Sequence, residues 1–268
     1  MTDITDLNTR GLLLVGCGKM GGAMLAGWLR AGLTPGAAHV RDPAAQVPAG
    51  VQLNGTLPST PALTVIAVKP LMMDAALADL VPLAGADTIV LSIAAGTPIA
   101  RFEATFGPAT PIIRAMPNTP AAIGQGITAM IGNAAAGSAA LDLAEAALAA
   151  TGAVVRLAEE AQMDAVTGVS GSGPAYVFHM IECLAAAGEA EGLAPELALH
   201  LARATIAGAG ALAMADATPP EILRRNVTSP NGTTQAGLEV LMAAETGLGP
   251  LMRRTVAAAA ARSRALAG

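Results

Sequence analysis

The chain has 268 residues, 53% of them hydrophobic but only 2% aromatic, and a formal net charge of -5 with no long Lys/Arg run. The length suits two modest domains whose cores are built from Ala, Leu, Val, Ile and Met, and the charge argues against nucleic acid as the main partner and for a small ligand. Cys17 and Cys183 lie far apart without CxxC spacing, so neither a disulfide framework nor a metal site is indicated and a reducing cytoplasm fits.

Residues 1–10, MTDITDLNTR, carry two acids and no apolar core, unlike a secretory signal. Short apolar runs follow: GLLLVG at 11–16, HVRD at 39–42, LTVIAV at 63–68, TIVLSIA at 88–94 and PIIRAM at 111–116. Runs this short, partly β-branched and bounded by Gly or Pro, predict buried strands of a parallel sheet. Helices are expected between them over 20–31, 71–81 and 98–106, and two more strands, 127–132 and 153–158, flank a helix over 138–150. The pattern predicts a doubly wound α/β domain of the Rossmann type over 1–158.

From 159 to 268 the strand signals stop, and Ala/Leu/Met-rich helices are expected over 174–191, 195–216, 233–245 and 249–266. They are too apolar to be covered by one another's polar faces, so an all-α domain buried partly in a subunit interface is expected. Mean hydropathy is +0.54. Apolar stretches are nevertheless cut by Asp142 and Glu145, by His179 and Glu182, or by Arg253 and Arg254, and no uninterrupted apolar span of about 20 residues is expected. These signs predict a soluble, cytoplasmic protein without a membrane partner.

GCGKMG at 16–21 fits G-x-G-x-x-G after a strand and before a helix. There Gly16 allows the turn, Gly18 lets backbone approach a pyrophosphate, Gly21 lets helix pack on strand, and the helix N-terminus presents free N–H groups to the anion. Asp42 follows Gly21 by about 21 residues, where an acid accepts hydrogen bonds from the ribose of NAD, while Arg41 beside it suits the extra phosphate of NADP. The choice between NADH and NADPH stays open at this point. AVKP at 67–70, SIAAG at 92–96 and RAMPNTP at 114–120 each close a strand at the edge where such sheets bind ligands, and Lys69 could meet anionic groups of the cofactor. His39, His179 and His200 read as structural or solvated, with no acid or second histidine at a supporting spacing. Cys17 and Met163 read as packing residues.

Together with TGVSGSGPAYVF at 167–178 and VTSPNGTTQAG at 227–237, these motifs resemble those of pyrroline-5-carboxylate reductases, in order and spacing, over essentially the whole chain. The resemblance implies an N-terminal Rossmann domain and a helical domain that interleaves with a partner's, giving a homodimer or higher homo-oligomer. It implies that Val15, Gly16, Cys17, Gly18, Lys19 and Met20 lie under the cofactor pyrophosphate. Asn54, Ala67, Val68, Lys69, Pro70, Ile93, Ala94 and Ala95 would line the rest of the NADPH or NADH. A cyclic imino acid would be held by Ser229, Asn231, Gly232, Thr233 and Thr234, with Glu160 and Asn226 nearby and Thr234 closest to the chemistry. Many family members carry two glycines after SP, whereas here the first is Asn231. Asn tolerates the left-handed backbone region, so the turn is expected to survive.

Other readings are a reductase of a different cyclic imine, a β-hydroxyacid dehydrogenase and a non-catalytic NAD(P)-binding protein. The dehydrogenase would need a catalytic lysine after the nucleotide domain, and no Lys follows Lys69. A non-catalytic protein would be expected to lose the carboxylate-binding turn, which is present.

Overall fold

The computed structural model describes residues 4–266. Its strands are β1 (Leu12–Val15), β2 (Ala38–Arg41), β3 (Gln52–Leu53), β4 (Leu63–Ile66), β5 (Ile89–Ser92), β6 (Ile112–Met116), β7 (Gly126–Gly132) and β8 (Gly152–Arg156). They form one 8-stranded sheet in the order β3-β2-β1-β4-β5-β6-β7-β8. From β3 to β6 all neighbours are parallel, and β1 sits where the chain first crosses to one side and then to the other.

The expected parallel sheet needs one correction, because β7 runs antiparallel to β6, and β8 then runs parallel to β7. Residues 117–125 between β6 and β7 hold only a 3-10 turn, Thr119–Ile123, and Gly124 in the left-handed region. That is shorter than the dozen or so residues a parallel crossover requires.

Helices α1 (Thr5–Arg10), α2 (Lys19–Arg30), α3 (Met73–Leu80), α4 (Ile99–Phe106) and α5 (Ser138–Ala149) accompany the sheet. Alternation along β1 builds two cores: Leu12 and Leu14 join Met24, Leu25, Trp28 and Leu148, while Leu13 and Val15 join Met73, Leu77, Phe102 and Phe106. Thus α2 and α5 cover one face and α3 and α4 the other, which is why β1, β4, β5 and β6 are buried at every position. Trp28 is fully buried and its indole N–H donates to the Ala147 carbonyl at 2.8 Å, tying α2 to α5.

The chain divides into two compact units, one containing residues up to Gly171 and those from Ala259 onward, the other Ser172–Ala258. The division lies after the expected boundary at 158/159, because the segment that follows β8 packs within the first unit. It forms a 3-10 turn, α6 (Met163–Val166) and a π turn, Thr167–Gly171. Met163 is fully buried, and Asp164 accepts a hydrogen bond from the Ser263 hydroxyl at 2.6 Å.

The second unit contains α7 (Gly173–Ala190), α8 (Pro195–Ala215), α9 (Pro220–Asn226), α10 (Thr233–Leu241) and the first part of α11 (Leu248–Leu266). α7 and α8 form a hairpin in which Ala185, Ala198 and Ala202 are buried and Gly188 lies against Ala198. Small side chains let the two backbones approach closely. Much of the unit's apolar surface is uncovered, including Phe178 at 59% and Met214 at 86% exposure. By length and composition α8 is long and apolar enough to cross a membrane, which the expectation drawn from interrupted apolar stretches did not foresee. Glu196, His200 and Arg203 lie along it.

Trp28→Ala removes the largest fully buried side chain of the first core together with its hydrogen bond. It is expected to destabilise the first unit by about 3–5 kcal/mol, read by circular dichroism during urea unfolding; a shift below about 1 kcal/mol would contradict this packing.

Candidate functional site

The strand-to-helix turn after β1 is shaped by contacts that only glycine permits. Gly16 has φ +91°, and a Cβ there would stand 2.7 Å from the Ala67 carbonyl oxygen. A Cβ at Gly21 would overlap the Gly16 carbonyl oxygen. These two positions seat α2 directly against the ends of β1 and β4. At Gly18, by contrast, a Cβ would meet nothing within 4 Å, so the surface above the turn is open. α2 starts at Lys19 with Gly18 as its N-cap and no side-chain cap, which leaves its first-turn N–H groups available to an anion.

Beside this turn the ends of β2 and β3 form a rigid polar corner. The Cys17 N–H donates to Asp42 Oδ2 at 2.7 Å, and the Ala44 N–H donates to Asp42 Oδ1 at 2.9 Å. Asn54, with φ +51°, holds Asp42 from the other side: its Oδ1 accepts the Asp42 N–H at 3.0 Å and its Nδ2 donates to the Asp42 carbonyl at 2.9 Å. Arg41 Nη1 donates to the Asn54 carbonyl at 3.3 Å.

A cleft of about 590 Å³ opens here, lined by Val15, Gly16, Arg41, Asp42, Asn54 and Val68 among the expected cofactor residues. The sequence reading missed its apolar wall, in which Leu57, Leu71, Met72 and Ala76 take part. Leu71 is 99% exposed, and a large apolar residue directly after AVKP was the one available signal. Ala67 follows β4, bonded through its N–H to the Val15 carbonyl at 2.8 Å, and Lys69 is exposed just beyond it. Pro70 opens the 3-10 turn Pro70–Met72. Ile93, Ala94 and Ala95 follow β5, where buried Ser92 Oγ accepts the Ala94 N–H at 3.2 Å. An open glycine turn, an uncapped helix start and a cleft with one polar corner and one apolar wall fit a dinucleotide.

Ser229, Asn231, Gly232, Thr233 and Thr234 are brought together in the second unit. Ser229–Gly232 is a turn closed by the Gly232 N–H to the Ser229 carbonyl at 3.1 Å, with Pro230 second and Asn231 third at φ +59°. Positive φ at that third place is what a Pro-started type II turn demands, and Asn meets it without glycine. The Asn231 N–H is taken by Gln235 Oε1 at 2.8 Å. Thr233 and Thr234 open α10 behind an uncapped Gly232, and both are exposed. Asn226 is the last, exposed residue of α9. Glu160 belongs to the first unit, where its Oε1 accepts from Arg114 Nη1 at 2.7 Å and from the Ile99 N–H at 2.9 Å. That carboxylate neutralises a buried guanidinium and caps α4.

One expectation about the histidines is corrected. His179 does have a supporting acid, Glu182, whose Oε2 lies 2.9 Å from its Nδ1, because residues three apart share a helix face. Both side chains are exposed on α7.

The strand order, the glycine turn at the first strand-helix junction and the cleft at the carboxyl ends of the strands define a Rossmann-type dinucleotide-binding protein with an added all-helical unit. Residues 160–266 match the family model for pyrroline-5-carboxylate reductase dimerisation. A pyrroline-5-carboxylate reductase of Pseudomonas aeruginosa is 36% identical over 97% of this chain and 98% of its own. The solved structure of a pyrroline-5-carboxylate reductase from Coxiella burnetii aligns with TM-score 0.89 at 30% identity, covering 97% of this chain and 100% of that one. A Plasmodium falciparum pyrroline carboxylate reductase solved with NADP bound aligns with TM-score 0.85 at 28% identity, over 97% and 99% of the two chains. The chain belongs to the pyrroline-5-carboxylate reductase family.

Burial, and then the negative charge of Asp42, raise the Cys17 thiol above its ordinary pKa. A raised pKa means less thiolate at a given pH, so Cys17 should alkylate more slowly at pH 8 than an unperturbed thiol. Asp42→Asn removes the charge and should speed the reaction, followed by mass spectrometry of the Cys17 peptide. An unchanged or slower rate in the variant would show that Asp42 does not act on the thiol.

Proposed function

We propose that the chain reduces the cyclic imine 1-pyrroline-5-carboxylate to L-proline, the last step of proline biosynthesis, using NADPH or NADH. The observation that carries this reading is the Ser229–Thr234 turn, a carboxylate-sized donor set at a helix start, in a chain that also carries the dinucleotide cleft.

When bound, the reduced nicotinamide would supply a hydride to the C=N carbon of the imine, the carbon that becomes C5 of proline. A protonated imine is already electrophilic, so the protein's work is to bind, align and exclude water, without a covalent nucleophile. In the first unit Gly16, Gly18 and the start of α2 hold the pyrophosphate, Asp42 and Asn54 form the polar corner at the adenosine end, and Val68 stands in the cleft wall. In the second unit the Asn231 and Gly232 N–H groups are already occupied by Gln235 and Ser229. The carboxylate of the substrate therefore falls to the N–H groups and hydroxyls of Thr233 and Thr234, helped by the helix dipole. The Thr234 hydroxyl also stands to hydrogen-bond the ring nitrogen. An unperturbed hydroxyl is a poor acid, so its role is orientation.

The uncovered apolar faces of α7, α8 and α10, and the match to a dimerisation family, support self-association as a homodimer or higher homo-oligomer. The same association gives α8 an apolar environment other than a bilayer. A cytoplasmic location suits the free thiols of Cys17 and Cys183.

A steady-state assay with pyrroline-5-carboxylate and either reduced cofactor is expected to show cofactor oxidation coupled to proline formation; no oxidation of either overturns the reading. Thr234→Ala is expected to lower kcat/KM by about 10- to 100-fold, the worth of one or two hydrogen bonds to a charged group, with cofactor affinity unchanged. An unaltered kcat/KM removes Thr234 from the site. Asn231→Val forces a β-branched residue to positive φ and should raise the KM for the imine, whereas Asn231→Gly should not. Equal KM values for the two variants would mean that the turn geometry does not govern substrate binding.

A further inference from the structure

We propose that Asp42 makes this chain select NADH over NADPH: its carboxylate accepts the hydroxyls of the adenosine ribose and repels a 2′-phosphate at the same place. The proposal rests on the dinucleotide reading of the cleft and adds to it the identity of the preferred cofactor.

A carboxylate discriminates only if it cannot move aside, and Asp42 is held at four points. Its two carboxylate oxygens each accept one backbone N–H, from Cys17 at 2.7 Å and from Ala44 at 2.9 Å. Its own N–H and C=O are clasped by the side-chain amide of Asn54 at 3.0 and 2.9 Å. Pro43 follows directly and confines the Asp42 backbone to extended values. Each carboxylate oxygen retains acceptor capacity beyond the one bond it makes, enough for a ribose diol.

Electrostatics favours the same cofactor. No Lys, Arg or His lies within salt-bridge distance of Asp42 among the described residues, so its charge is opposed only by N–H dipoles. Among the described residues the cleft is lined by a single cation, Arg41, against two acids, Asp42 and Asp79. Arg41 is the rival determinant. It is half-buried and its Nη1 makes a 3.3 Å bond to the Asn54 carbonyl, one long contact compared with the four that fix Asp42. A 2′-phosphate would bring close to two negative charges to a fixed anion while gaining one loosely held cation. A ribose hydroxyl pair brings none.

The test measures binding of NADH and of NADPH to the full chain by titration calorimetry without imine, so it does not depend on turnover. Wild-type protein is expected to bind NADH at least about tenfold more tightly than NADPH. Asp42→Asn keeps an oxygen for the Cys17 N–H but removes the charge, and should bring the two affinities within about threefold, mainly by tightening NADPH. Arg41→Ala should leave the wild-type ratio standing. Circular dichroism establishes that both variants are folded, and Asp42→Ser serves as the second charge-removing variant if Asp42→Asn does not fold. Equal or tighter binding of NADPH by the wild type, an unmoved ratio in the charge-removing variant, or a selective loss of NADPH in Arg41→Ala each overturn the proposal. Imine reduction is assayed separately: failure there with the binding preference intact overturns the reductase reading alone, and reduction with equal binding of both cofactors overturns the preference alone.

Discussion

The Gly21 site has no room for a β-carbon, because the Gly16 carbonyl oxygen occupies that space, and Gly16 in turn lies against the Ala67 carbonyl. This stacking of three backbones lets α2 begin at the very end of β1, between the ends of β2 and β4. Shifting α2 outward by the width of a methyl group would move the Cys17 N–H off the Asp42 carboxylate and widen the cleft. The anion site, the polar corner and the apolar wall thus share one steric origin. Two buried cores, one on each face of the sheet, keep that edge in place.

Much of the first unit was legible in the sequence because strands buried on both faces must be short, largely apolar runs, as β1, β4, β5 and β6 are. β3 was not legible, since its two residues, Gln52 and Leu53, are both exposed and carry no pattern. α1 and α9 were missed for a related reason: six and seven residues, with Leu7 alone buried in the first and no residue buried in the second, give no helical period. The direction of β7 depends on the length of a turn rather than on the composition of the strand. The expected boundary at 158/159 followed the end of strand signals, whereas the chain continues to pack on the first unit through Met163 and Asp164. Motif spacing located Asp42 and Asn54, but only the three-dimensional arrangement shows that Asn54 clasps the Asp42 backbone.

The helical unit follows a different rule. Its sequence is dominated by alanine, and its internal core among buried residues reduces to Ala185, Ala198 and Ala202 in the α7/α8 hairpin. Such a unit gains little from burial within itself. Its uncovered apolar surface agrees with the match to a dimerisation family, and the polar Ser229–Gly232 turn lies between α9 and α10. Asn231 shows how such a turn can depart from a double-glycine pattern: the left-handed backbone conformation is kept, and the residue's N–H is turned inward to Gln235.

Aromatic scarcity gives this chain a spectroscopic partition. The only tryptophan, Trp28, is buried in the first unit, and the only tyrosine, Tyr176, lies on α7 in the second. Excitation at wavelengths absorbed by indole and not by phenol therefore reports on the Rossmann unit alone. That unit carries its own native fluorescent reporter, and its loss of structure can be followed without any label.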